Sequence, residues 1–321
     1  MPGLTAPLQK TLASGKWLMP LAGTARHAIT RRLPDRQYVS MVYRREFGYW
    51  PRLTRPRTFN EKMCRRRVHP DPVFTLLSDK VKVRDYVRAT VGEQYLVPCY
   101  GVCERIDNDL YQALPDQFVM KANHGSGFNL LVKDKRDYPL YMLNELGRQW
   151  LRDDFYATSR ERHYKDIEPQ LMFEKLLLDE RGGVPKDYKF YCFRKQGRAP
   201  QLFIEVDHDR FENLSFDYYD SGWNLVDIVE RRFTTGQPIP RPAMFDEAMD
   251  VALKLSEGFG FARVDLYLTE TRVYFGEITF TPTGGLKHFR SFEQDLAWGQ
   301  MFDEVDYQNH PTLARNRMRD A

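Results

Sequence analysis

Five short stretches hold the residues that could do chemistry. Phe118-Val119-Met120-Lys121 is an apolar run closed by a lysine, and Ala122-Asn123-His124-Gly125-Ser126-Gly127 follows at once. A strand ending in a cation and opening into a Gly-Ser-Gly loop sets an ammonium beside backbone N–H groups that no side chain shields, which suits a phosphate. The same letters also make an ordinary hairpin turn, and the spacing is not that of a P-loop. Glu174-Lys175-Leu176-Leu177 closes a second apolar run. A strand end entering a linker offers a nucleotide base an apolar slot and a free backbone edge, or is simply a terminus. In Asp187-Tyr188-Lys189-Phe190 the acid and the base share one strand face. They form either a cross-strand pair on a wet face or the lining of a charged ligand. Arg263-Val264-Asp265 and Gly276-Glu277-Ile278-Thr279 flank a short turn. Asp265 and Glu277 can therefore lie opposite each other, where they repel unless a cation joins them. Oxygen-only ligation suits Mg²⁺, and a salt-bridged hairpin is the other outcome. Arg263 shares the face of Asp265, and a metal with an arginine is what a triphosphate in transfer requires. No Ser–His or Cys–His nucleophile stands out.

These residues need elements to position them. Tyr38, Met41, Val42 and Phe47 recur at helical spacing before Gly48, and a loop with Pro51 and Pro56 follows. Thr58 with Glu61 three residues on reads as a capping box opening the next helix. Residues 78–90 read as a helix capped by Ser78. Strands are expected over 117–121, 129–133, 170–174, 187–193 and 201–206, with a last hairpin of 262–268 and 272–280. Helices are expected over 141–151 and 243–257. There is no internal repeat.

The 321 residues are 42% hydrophobic and 29% charged, with mean hydropathy −0.59. This excludes a disordered, collagen-like or multispanning chain. Cys64, Cys99, Cys103 and Cys192 match neither a disulfide framework nor a zinc pattern, so thiols in a reducing cytosol are expected. The net charge of +4 hides an asymmetry: residues 1–70 hold 15 Lys/Arg against Asp35, Glu46 and Glu61, which is +12 and leaves −8 for the rest. Such an end either meets something anionic or covers the acidic body. Arg44, Arg45, Arg52, Arg55, Arg57, Lys62, Arg65, Arg66 and Arg67 crowd into it. The planar forks of the arginines suit the carboxylates of a polyanionic acceptor. The aromatics form no cluster of the kind that reads RNA, and no nucleic-acid partner is expected.

The order of these features resembles the ATP-grasp superfamily. Asp79-Lys80-Val81-Lys82-Val83-Arg84 and Tyr95-Leu96-Val97-Pro98 extend the likeness upstream, so that it covers about residues 78–285. A closer likeness is to the TupA-like branch, found with bacterial teichuronic-acid, capsule and other surface-polysaccharide loci. It rests on Pro56-x-Thr58-Phe59-Asn60-Glu61-Lys62, Asp79-Lys80, Lys121-x-Asn123-His124-Gly125-Ser126-Gly127 and Asp187-Tyr188-Lys189-Phe190. The resemblance implies an α+β ATP-grasp fold, two lobes clasping ATP, behind a basic helical N-terminal region. The expected divisions are a leader at 1–37 (on a membrane face or poorly ordered), helices at 38–98, a lid at 99–178, a core at 179–305 and a tail at 306–321.

By the same resemblance, Arg84 and Lys121 hold the α- and β-phosphates, with His124 beside them. Gly125, Ser126 and Gly127 close over the triphosphate, and Glu174, Lys175 and Leu177 hold the adenine. Asp187 lines the cofactor, Lys189 and Arg263 are catalytic at the γ-phosphate, and Asp265, Glu277 and Thr279 hold Mg²⁺. Thr279 departs from the family's usual Asn. The implied function is a cytoplasmic, ATP-dependent carboxylate–amine ligase of cell-surface polysaccharide biosynthesis. It would use an acidic sugar polymer or its precursor, and an amine donor, at the inner face of the membrane. A glycosyltransferase of the same pathway and a non-catalytic nucleotide-binding scaffold are the alternatives.

Overall fold

A computed structural model describes residues 33–208 and 215–304. Most of the 1–37 leader and all of the 306–321 tail lie outside the described residues. Helix α1 (Asp35–Phe47) ends as expected at Gly48, which takes φ 82°. Thr58 and Glu61 form the expected capping box at the start of α2 (Phe59–Val68). The Glu61 carboxylate also accepts from the backbone N–H groups of Arg52 at 2.9 Å and Arg57 at 2.8 Å. One buried acid thus folds the Pro/Arg loop onto the helix.

The expected helix over 78–90 is corrected. Ser78 ends a short α3 (Pro72–Ser78), and the next helix, α4, runs Val83–Thr90. Between them the Asp79 carboxylate accepts from the N–H groups of Val81 at 2.9 Å and Lys82 at 3.3 Å, forming an Asx turn. Asn123 donates to the same oxygen at 3.0 Å, so the turn is fastened from a distant strand.

Four strands, β1 (Cys99–Cys103), β2 (Phe118–Ala122), β3 (Asn129–Val132) and β4 (Leu171–Lys175), make an antiparallel sheet in the order β1-β4-β2-β3. Phe118, Met120, Leu130 and Phe173 face its core. Leu143 and Trp150 close that core from α6 (Leu140–Arg152), with α5 (Asn108–Ala113) nearby and α7 (Phe155–Ser159) following. Six more strands form a second antiparallel sheet: β5 (Asp187–Phe193), β6 (Gln201–His208), β7 (Ser215–Asp220), β8 (Leu225–Val226), β9 (Phe261–Leu268) and β10 (Val273–Thr279), in the order β10-β9-β5-β6-β7-β8. One face, with Phe190, Ile204, Val264 and Leu266, packs on α3, α4 and α8 (Phe245–Leu255). The other face is split. Tyr191, Phe193 and Phe261 lie under α2 and α9 (Phe292–Gln300), against Phe59 and Trp298, and the rest carries the charged site.

Two arginines of the basic end are also corrected. Arg66 is buried and donates to the carbonyls of Phe261 at 3.0 Å and Phe280 at 3.3 Å, and it pairs with Glu304 at 3.0 Å. Arg67 donates to the Gly284 carbonyl at 2.7 Å and to that of Ser159. Arg66 thus fastens α2 to the large sheet, and Arg67 ties it to the turn after β10 and the end of α7, because orphan carbonyls at strand and loop ends need donors. Neither side chain is free to meet an acceptor.

Glu61→Ala leaves the donors of Arg52, Arg57 and Thr58 without an acceptor, at a cost of about 2–3 kcal/mol. Urea melts should show a lower midpoint with an unchanged slope.

Candidate nucleotide site

The large sheet sets a row of polar side chains across five strands. Glu277 pairs with Asp265, Asp265 with Lys189, Lys189 with Glu205, and Glu205 with Tyr218. Strand alternation alone does not produce this row. In a regular β10, Glu277 would share the core-facing side of Phe275. The register shifts between Phe275 and Glu277, so Gly276 is an extra residue and Glu277 is turned over to meet Asp265. Glycine is required there, since a Cβ would stand 2.9 Å from the Asp265 carbonyl oxygen.

Arg263 binds this carboxylate pair together. Its Nε and Nη2 fork onto Asp265 at 2.7 and 2.6 Å, and Nη2 also reaches Glu277 Oε1 at 3.0 Å and Thr279 Oγ1 at 3.1 Å. Thr279 donates to Glu277 at 3.0 Å. Burial drives the Asp265 carboxyl well above the usual range, against the pull of Arg263. Burial also acts to raise Glu277, but Lys80 and Arg263 outweigh it and hold that carboxyl at about 2. Next in the row, Lys189 bonds Asp207 and stands 3.8 Å from Asp187 and 3.7 Å from Glu205. Burial presses its ammonium toward losing its proton, and these carboxylates keep it charged.

A cleft of ≈ 370 Å³ lies between this face and the small sheet. Val97, Leu131, Leu176 and Leu177 supply apolar walls, and Lys121, Ser126, Gly127, Glu174, Lys175 and Asp187 supply polar ones. Most of the residues expected at the cofactor therefore share one cavity. Glu174 is already committed: its carboxylate takes Lys121 at 2.7 Å and Arg84 at 2.8 Å, while Arg84 also donates to the Val97 carbonyl. Arg84 thus braces Glu174 and does not line the cleft. His124 is seated in the small lobe, 3.2 Å from the Asp153 carbonyl oxygen and stacked on Phe128. Gly125 packs against Phe128 and Phe155, and its carbonyl accepts from Lys80 Nζ at 2.5 Å.

Sequence reasoning passed over Lys80, Glu205, Asp207 and Lys287 as site residues. Lys80 had a signal, its place in the Asp79-Lys80 pair. Glu205 and Asp207 alternate along a strand whose partner carries Lys189, and only the pairing register shows it.

Asp265 and Glu277 are the kind of carboxylate pair that Mg²⁺ takes, completing its shell with phosphate oxygens and water, and Arg263 already engages both Asp265 oxygens and Glu277 Oε1. Among the described residues no group of three or more His, Cys, Asp or Glu could hold a metal by itself. Phosphate oxygens would therefore have to complete the shell.

Two antiparallel sheets with a Lys–Gly loop on the small one and an Arg-x-Asp strand beside a closing acidic strand on the large one are the arrangement expected of an ATP-grasp fold. The TupA-like ATP-grasp family model matches residues 61–303, and the chain belongs to that family. Among solved structures, the D-alanine-D-alanine ligase of Helicobacter pylori is similar at 16% identity and TM-score 0.40, over 72% of this chain and 60% of that one. The D-alanine-D-alanine ligase of Bacillus anthracis complexed with ATP is similar at 14% identity and TM-score 0.40, over 77% of this chain and 70% of that one. No curated protein matches the chain.

Asp265→Asn combined with Glu277→Gln should abolish ADP release with Mg²⁺ while the circular-dichroism spectrum stays that of the parent. Lys121→Ala should weaken ATP binding about tenfold by calorimetry, the effect of losing one charged phosphate contact.

Proposed function

We propose that this ATP-grasp protein joins a carboxylate to an amine or another nucleophile through an acyl phosphate, within cell-surface polysaccharide biosynthesis. The observation that carries the proposal is the row Glu277–Asp265–Lys189, with Arg263 forked onto its carboxylates, on the sheet face whose Asp187, Asp207 and Tyr267 line the cleft. A carboxylate oxygen of the acceptor attacks the γ-phosphorus, and the bond from that phosphorus to the ADP oxygen breaks. Lys189 and Arg263 stabilise the charge on the transferring group. The amine nitrogen then attacks the acyl carbon and loses its proton, and phosphate leaves. Asp265 and Glu277, with Thr279 beside them, would hold Mg²⁺, which would supply charge neutralisation for the phosphoryl group.

The acceptor in this reading is an acidic sugar polymer or its precursor, and an open groove supports its placement. Arg36, Arg52, Arg55 and Arg57 line that groove with Pro51 and Pro56, alongside α1. All four arginines are exposed. In the same reading the leader at 1–37 attaches the protein to an anionic membrane face. No described helix is long and apolar enough to cross a membrane.

The direct test is ADP release by purified protein with Mg²⁺, screened against uronic-acid acceptors and amino acids. Nucleotide binding with no acceptor-dependent release would favour a scaffold, and sugar transfer without ATP consumption a glycosyltransferase. Once an acceptor is found, neutralising Arg52, Arg55 and Arg57 together should raise its KM several-fold, roughly the loss of 1–2 kcal/mol of charge-assisted contact. The KM for ATP should not move, and the acceptor effect should shrink as salt rises. Equal losses for both substrates would return these arginines to a structural role. Removing the first 35 residues should preserve ATP hydrolysis and reduce binding to anionic vesicles, most clearly at low salt.

A further inference from the structure

Glu205, the fourth member of the row, takes no part in the reaction just described, yet one of its oxygens carries three donors. Oε2 accepts from Tyr191 Oη at 2.8 Å, from Tyr218 Oη, and from Lys287 Nζ at 2.9 Å. Oε1 faces Lys189 Nζ at 3.7 Å, beyond hydrogen-bond reach. The carboxylate is therefore drawn away from Lys189 and toward Lys287.

Lys287 is built for this. It is 3% exposed, and its ammonium lies 5.0 Å from the ring centroids of Tyr191 and Tyr218 and 5.6 Å from that of Phe216. Aromatic faces hold a desolvated cation well. Its root is fixed as firmly as its tip. The Lys287 N–H donates to Asn60 Oδ1 at 2.9 Å, and its carbonyl accepts from Asn60 Nδ2 at 2.8 Å. Asn60 is in turn held by Asp295, which accepts from its N–H at 2.9 Å and its Nδ2 at 3.1 Å. A long side chain clamped at both ends gives Glu205 a partner that does not wander.

We infer that Lys287 is a positioning residue: by engaging Glu205 it keeps the Lys189 ammonium from being captured by that carboxylate and leaves it available to the triphosphate. The physical reason is that a buried carboxylate stripped of its cation takes the next one in reach. Lys189 already bonds Asp207 with Asp187 at 3.8 Å, and a second direct carboxylate bond would pull it from a ligand phosphate. The inference rests on the proposed placement of Lys189 at the γ-phosphate, so its test must separate the two.

Full-length protein is titrated calorimetrically with Mg²⁺ and the β,γ-imido analogue of ATP, and in parallel with Mg²⁺ and ADP. Lys287→Met should weaken the triphosphate about tenfold and leave ADP within about twofold, because only the γ-phosphate meets Lys189. Adding Glu205→Gln removes the captor, and the double variant should return to within about threefold of the parent. Should Lys287→Met fail to fold, the double variant is compared with Glu205→Gln alone, and the two should bind alike. Equal losses for triphosphate and diphosphate, no loss at all, or a double variant as weak as the single one would overturn the role of Lys287. Lys189→Met is the control. Parent-like triphosphate binding by that variant would instead overturn the placement of Lys189. Weak binding there with a silent Lys287→Met would overturn only the inference.

Discussion

Carboxylates crowd one face of the six-stranded sheet, and the site depends on the cations that neutralise them. Asp187, Glu205 and Asp265 are buried there, Asp207 nearly so, and Glu277 stands at the half-exposed edge of the same region. Left to themselves, such groups would take up protons or push the strands apart. Arg263 answers Asp265 and Glu277, Lys189 answers Asp187 and Asp207, and Lys287 answers Glu205. Each cation comes from a different point in the chain, so the charge pattern exists only in the folded state. The same pairing leaves Glu277 ionised beside a buried Asp265 whose carboxyl is raised, an arrangement that an incoming divalent cation would relieve.

A second set of charge contacts joins the N-terminal helices to the small sheet. Arg84 on α4 and Lys121 on β2 converge on Glu174 of β4. Asn123 reaches back to Asp79, and Lys80 reaches forward to Gly125. The helices before the strands are thus part of the clasp, because they fix the strand end and the loop that border the cleft. Arg66 does the same on the large sheet, bonding carbonyls at the ends of β9 and β10, while Arg67 bonds the turn after β10 and the end of α7. A charge-rich segment can therefore be mostly structural at its inner positions and open at its outer ones.

That division explains what could be read from the residues alone. Strands β1, β7 and β8 lie outside the expected runs, but β2–β6, β9, β10 and the capping box follow from local pattern, and so do the Arg263–Asp265 side and the Lys121 loop. All of these rest on alternation or on spacing within a few residues. The turn at Asp79 does not, since it is held by Asn123 more than forty residues away. Nor does the true cause of the Asp265–Glu277 pairing. Counting across the turn suggested that they could face each other, but only the bulge at Gly276 turns Glu277 out of the core. Arg66 and Arg67 look like their exposed neighbours in composition, and burial separates them. Lys287 lies in an unremarked loop, and nothing near it in the chain hints at Glu205.

Thr279 bears on whether this site can do what its family does. A hydroxyl has one proton and two lone pairs. The proton goes to Glu277 Oε1 and one lone pair receives Arg263 Nη2. One lone pair therefore remains for an oxygen-seeking cation. The hydroxyl also orients the carboxylate beside it, a task that the shorter reach of threonine suits, because Glu277 stands only two residues away on the same strand face. With Arg263 already bridging Asp265, Glu277 and Thr279, the geometry of the carboxylate pair is set before any nucleotide arrives, which is the preorganisation that phosphoryl transfer draws on.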